Sequence, residues 1–194
     1  MGITIDNQLR WNTHINKITK KISKNVFLLS KLKIYIDVNC RRMFFFAHIK
    51  PYIDYISNAW DGASQNLLVT LNSIYRRAVK MILYETQIST NAKFAQLQIL
   101  SLQQQLKFNK SVFMHKIINN VAPKYLTPRV IGSNNIKKES RMGTLHLPYA
   151  RIDLFKNSLS FSGPKVWNTL PQNIKKIKNI SPFKAALRKH LQTL

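Results

Sequence analysis

The chain has 194 residues, 45% of them hydrophobic, which is enough to bury a core in one domain, or one domain with a small module, and reads as a globular chain and not a disordered one. Its 31 Lys and Arg stand against 7 Asp and Glu, a formal charge of +24 that repels a compact state unless a polyanion lies nearby, so nucleic acid is the expected partner. A single cysteine excludes an internal disulfide and a Cys-based zinc knuckle, and no run nears the roughly 20 apolar residues of a membrane span.

The basic excess grows along the chain, from 13 basic and 5 acidic side chains over residues 1–90 to 18 and 2 over residues 91–194. A contact surface is therefore expected to extend to the C-terminal end. Cys40 fits a reducing intracellular compartment, cytoplasmic or nuclear, and is expected to be a small buried residue. The opening residues lack a basic n-region followed by an apolar h-region, so neither a leader nor a membrane partner is expected.

The opening Gly2-Ile3-Thr4-Ile5 reads as a strand, with Asp6 as a turn former or cap behind it. From about Thr13 to Ile36 the residues Ile15, Ile18, Ile22, Val26, Leu29 and Leu32 recur at spacings of three and four. Lys17, Lys20, Lys21, Lys24 and Lys31 fall largely on the other side, which predicts an amphipathic helix with Asn12 or Thr13 as its N-cap. A second apolar stretch, Val38 to Ile56, carries Arg41 and Arg42 near its start and should break near Lys50, because Pro51 donates no backbone hydrogen bond and crowds the preceding turn. Trp60-Asp61-Gly62 reads as a stop. A third helix, about Asn66 to Tyr84, buries Leu67, Leu68, Leu71, Ile74, Ala78, Val79 and Ile82 and presents Arg76, Arg77 and Lys80.

Thr90 is placed to cap a short helix to about Leu97, and Ser101 a longer one through Ile118 or Asn119. Asn120 to Ser140, with Pro123, Pro128, Gly132 and Ser133, has the composition of a connector. Thr144 to Pro148 and Ile152 to Phe161 alternate partially and predict a β-hairpin with a long link. Gly163-Pro164-Lys165-Val166-Trp167-Asn168-Thr169-Leu170-Pro171 follows, where apolar neighbours make Trp167 a core anchor before a base-stacking platform. The basic run with Lys175, Lys176 and Lys178 comes next, and Ser181 with Pro182 starts a closing helix to about Leu191.

No catalytic constellation emerges. Two-metal phosphoryl transfer needs closely placed carboxylates, and the nearest acidic pair in sequence, Asp54 and Asp61, is separated by a broken helix and a glycine turn. His14, His48, His115, His146 and His190 are scattered, without metal-ligand spacing or a partnering acid. No metal, cofactor or small-molecule substrate is expected. What remains is a binding surface: Lys17, Lys20, Lys21, Lys24, Arg41, Arg42, Arg76, Arg77, Lys80, Lys175, Lys176 and Lys178 are the expected phosphate contacts, which position a strand without reading its sequence. The arginines suit phosphate best through their planar forks.

The opening Gly2 to Asp6, with Leu9, Trp11, His14 and Ile15 behind it, and the closing order from Gly163 to Pro171 through Ser181-Pro182-Phe183-Lys184 resemble the C-terminal part of a non-LTR retrotransposon reverse transcriptase of the jockey-like type. Tyr75-Arg76-Arg77-Ala78-Val79-Lys80-Met81-Ile82 is similar to that family's basic, alanine-containing helix, with Tyr75 in place of the usual Gln. The resemblance implies residues 1–10 as a palm remnant strand, 11–86 as a thumb-like helical bundle, 87–125 as additional helices, and 126–194 as a C-terminal module with the hairpin and closing helix. It implies a mainly α fold with a small α+β module. It also implies no polymerase activity in this chain alone, since the family's Tyr-x-Asp-Asp motif is missing; magnesium belongs only to the missing palm, and a palm-containing polymerase chain is the implied protein partner. Two other classes share these features: an RNA-binding protein similar to the thumb-like domain of group II intron maturases, and a basic amphipathic protein at a membrane surface.

Overall fold

The computed structural model describes residues 2–130 and 144–193, with the side chains at positions 128 and 129 left aside. The fold is mainly helical, in two compact units, Met1–Gln103 and Gln104–Leu194. The helices read together over 87–125 are divided between these units. The connector read over Asn120–Ser140 lies largely outside the described residues. None of the described helices is long and apolar enough to cross a membrane.

Unit one is built on α1 (Asn12–Leu32), whose Ile15, Ile18, Ile22, Val26 and Leu29 are buried as their spacing predicts. It packs on α5 (Gln65–Ile82), which buries Leu71, Tyr75, Ala78, Val79 and Ile82. Between them in sequence, α2 (Val38–His48) and α3 (Lys50–Asp54) meet at the expected break before Pro51, and both pack against α1. The turn α4 (Ser57–Trp60) buries Trp60, whose indole N–H donates to Tyr55 O at 3.1 Å. Then α6 (Thr90–Gln96) closes the unit against α5; its N-cap is Ser89, not Thr90, with Ser89 Oγ accepting from Ala92 N–H. An aromatic row fills the centre, with Phe45 and Tyr75 ring centroids 5.5 Å apart and Tyr75 and Phe94 6.0 Å apart.

The palm remnant strand is not formed: among the described residues 2–10 there is no strand. Side chains take up several backbone donors of this segment instead. Thr4 N–H donates to His14 Nδ1, and the Asp6 carboxylate accepts from Gln8 N–H at 3.1 Å, Arg10 N–H at 2.9 Å and Trp11 N–H at 2.8 Å. This wrapping turns the backbone left-handed at Leu9 (φ 52°) and Trp11 (φ 63°), a conformation costly for such side chains and offset here by the three bonds. Neither Asn12 nor Thr13 is the N-cap: that position is Trp11, without a side-chain cap bond, and the Asp6 carboxylate fixes the entry to α1 by holding the Arg10 and Trp11 amides just before it.

The helix α7 (Leu102–Ile118) begins directly after Ser101 as expected; all but its first two residues belong to unit two, and it is buried on several sides. After α8 (Leu126–Val130), the region read as a β-hairpin contains no strand: Thr144–Pro148 is irregular, and Ile152 to Phe161 folds into α9 (Asp153–Asn157) and the start of α10 (Leu159–Asn168). The physical reason is Asn168. Its side-chain oxygen accepts from Leu145 N–H and its side-chain nitrogen donates to Leu145 O, both at 2.8 Å, so one amide replaces the partner strand. Leu145 is buried beside this clamp.

The rest of the Gly163–Pro171 run packs. Trp167 is buried, 6.0 Å from the Phe183 ring, which lies 4.1 Å from His115; Trp167 is a core anchor, as expected. A Cβ at Gly163 would stand 2.6 Å from the buried Met114 sulfur, so only glycine lets α10 approach that side chain without displacing it. Two elements finish the unit, α11 (Gln172–Lys175) and α12 (Ile180–Gln192), the latter burying Phe183, Leu187 and Leu191.

The Arg10 amide above all, with those of Trp11 and Gln8, holds the Asp6 carboxyl below its ordinary value of 3.8 against the opposite push of burial. A lowered folded pKa contributes stability that is complete above 3.8 and lost as pH falls through the folded value. Asp6→Asn should therefore be less stable than the parent chain in urea unfolding at neutral pH, with the difference vanishing in strong acid; a difference unchanged with pH would contradict this role.

Candidate nucleic-acid interface

Because the apolar stripe of α1 is buried, Lys17, Lys20, Lys21 and Lys24 are turned to solvent by the same helical geometry, with Lys31 one heptad beyond Lys24. At 1.5 Å per residue these positions run about 20 Å along the helix axis. None of the first four pairs with a carboxylate among the described residues, and Lys21 Nζ sits 5.7 Å from the Tyr52 ring centroid. His14, one turn before Ile18, is buried: Nδ1 accepts from Thr4, which leaves the proton on Nε2, and that nitrogen has no partner among the described residues. Burial first, and the Lys17 charge second, hold His14 below its ordinary pKa, so it adds no charge to this face at neutral pH.

The arginine pair on α2 separates. Arg42 is exposed, its guanidinium 5.0 Å from the Phe46 ring. Arg41 is 4% exposed and is not a phosphate contact. Its Nε donates to Ile36 O at 3.0 Å, one terminal nitrogen to Ile82 O at 2.9 Å and the other to Glu85 at 2.9 Å, while the fork lies 4.8 Å from the Tyr84 ring. It satisfies a carbonyl past the end of α1 and the last carbonyl of α5, and the core is built around it.

On α5, Arg77 and Lys80 are exposed, whereas Arg76 is half-buried and donates to Asn91 Oδ1 at 3.1 Å, tying α5 to the first turn of α6. Tyr75 is fully buried and donates its hydroxyl to Leu100 O at 3.2 Å, so this position faces the core. Burial also holds the Tyr75 hydroxyl far above its ordinary pKa, and it stays protonated. In unit two, Lys176 and Lys178 are exposed, while Lys175 is half-buried and donates to Asn168 O at 3.2 Å, with burial lowering its pKa.

Cys40 is exposed, not buried, because the inward side of α2 is taken by Arg41 and Phe45. Hydrogen bonding to the carboxylate of Asp37, and that charge, raise its thiol pKa, which makes it a weak nucleophile. Among the described residues no group of three or more His, Cys, Asp or Glu is placed to hold a metal ion. Asp54 is paired with Lys50.

The sequence reading passed over one feature, a basic groove lined by Lys33, Lys80, Tyr84 and Lys93. Its signal was available: Lys93 stands four residues before Leu97 and beside Phe94, a lysine placed on the apolar side of α6. Comparison of the chain with protein-family models, with curated proteins and with solved structures gave no match in any of the three.

The two neighbouring arginines make a direct test. Arg41→Ala removes three bonds from a buried charge-bearing group and should cost about 3 kcal/mol in urea unfolding, whereas Arg42→Ala should stay within about 0.5 kcal/mol of the parent. Equal effects would contradict the placement of Arg41.

Proposed function

We propose that the chain is a sequence-nonspecific nucleic-acid binder that grips the sugar-phosphate backbone of a duplex or of a structured RNA, in the manner of the thumb of a non-LTR retrotransposon reverse transcriptase. It carries out no chemistry of its own, and a palm supplied by a polymerase chain performs the RNA-directed DNA synthesis it supports. The observation that carries the reading is the outer face of α1, where Lys17, Lys20, Lys21 and Lys24 stand exposed without carboxylate partners among the described residues. Solvated helix faces normally interleave both signs of charge; this one presents a single sign over two turns. Arg42, Arg77 and Lys80 extend the positive surface of unit one, and Lys176 and Lys178 that of unit two.

Such contacts add affinity by releasing counterions and fix position without reading bases. A second reading has its own observation. Phe27 and Leu28, 61% and 47% exposed, stand beside the lysines on α1, and Ile34 and Tyr35 follow them, a combination suited to an anionic membrane surface.

With about five phosphates neutralised, log affinity for a duplex should fall against log salt with a slope of roughly −4 to −5. Replacing Lys17, Lys20, Lys21 and Lys24 together by Ala should flatten that slope by several units. An unchanged slope would remove α1 from the site, and preference for anionic vesicles over duplex at equal salt would favour the membrane reading.

A further inference from the structure

Beyond the end of α1 and between the last turn of α5 and the first of α6 lies an open groove of about 450 Å³. Lys33, Lys80 and Lys93 line it, together with Tyr84, Thr86 and Ser89. Lys93 is 6% exposed; its ammonium donates to Leu83 O and, at 3.0 Å, to Thr86 O, which leaves one of its three N–H groups for the groove. Lys33 Nζ is held 4.6 Å from the Tyr84 ring centroid. No carboxylate pairs with any of the three lysines among the described residues, and Glu85, the acid next to Tyr84, is engaged by Arg41.

A buried ammonium with only carbonyl partners, beside two more cations, is a charge arrangement that lacks its counterion. Ser89 Oγ accepts from Ala92 N–H, and its own proton remains available to an acceptor in the groove. We propose that this groove binds a phosphate monoester, the terminal phosphate of a nucleotide or of a nucleic-acid strand. A monoester carries nearly two negative charges and three acceptor oxygens, which matches three ammonium groups and a hydroxyl better than the single charge of an internal diester. The volume exceeds what a bare phosphate fills and lies in the range of sites for small organic ligands. The strand form of the ligand rests on the nucleic-acid reading above; the free form does not.

The test measures binding of the whole chain to one internally labelled oligonucleotide with a 5′-phosphate, a 3′-phosphate or hydroxyl ends, with inorganic phosphate and adenosine monophosphate as competitors. A phosphorylated end should bind on the order of tenfold tighter than the hydroxyl-ended strand. Lys33→Gln and Lys93→Gln should each abolish that difference, and the competitors should do the same. Lys93 also holds the turn at Leu83 and Thr86, so Lys33→Gln decides the matter if Lys93→Gln unfolds. Equal binding of all three strands overturns the groove and leaves backbone binding standing. A preference for phosphorylated ends that survives Lys33→Gln also overturns it. Failure of every strand, with inorganic phosphate or adenosine monophosphate still bound in a manner lost in Lys33→Gln, supports the groove and removes the strand reading; failure of every probe overturns both.

Discussion

Unit one depends on the apolar seam between α1 and α5. A chain of net charge +24 gains nothing electrostatically by becoming compact, so the force that closes it has to be burial. Ile15, Ile18, Ile22, Val26 and Leu29 on one helix and Leu71, Tyr75, Ala78, Val79 and Ile82 on the other supply it. The helical repeat that turns these side chains inward leaves Lys17, Lys20, Lys21 and Lys24 no direction except outward. Core and charged face are therefore one constraint, and neither moves without the other.

This is also why so much of unit one was legible in the sequence. The spacing of α1, the break before Pro51 and the apolar face of α5 follow from periodicity and from the covalent chemistry of proline. Arg41 was misread because charge was weighed before position, although it stands four residues before Phe45 and eight before Ile49, on the buried side of that stretch. Its burial is tolerated because backbone carbonyls and Glu85 take up its donors, a circumstance that depends on residues some 40 positions away. The opening strand failed for a related reason: nothing in a short apolar run says whether a donor such as Thr4 N–H will meet a strand or, as here, the side chain of His14.

Unit two was harder to read, and the false hairpin shows why. Short amphipathic runs such as Ile152 to Phe161 satisfy both periods, and the deciding contact, the Asn168 clamp on Leu145, joins residues 23 positions apart. The Gly163–Pro171 run acquires a physical account through the same contacts. Gly163 admits the Met114 side chain, Trp167 joins His115 and Phe183 in the core, and Asn168 fixes an irregular segment that would otherwise lack a partner. Gly163, Trp167 and Asn168 do structural work within the unit; of the cations that follow the run, Lys175 is half-buried against Asn168 O, whereas Lys176 and Lys178 are exposed.

In unit one the positive side chains sort by environment. Arg41 and Lys93 are enclosed, Arg76 ties two helices together, and the α1 lysines face solvent unpaired with any acid among the described residues. That sorting separates groups that hold the fold from groups that meet a polyanion. Lysine acetylation footprinting of the whole chain, with and without a duplex, reads the division residue by residue. Lys17, Lys20, Lys21 and Lys24 should be shielded by the duplex while Lys50, paired with Asp54, keeps its reactivity; unaltered reactivity of those four while duplex is bound would contradict the account.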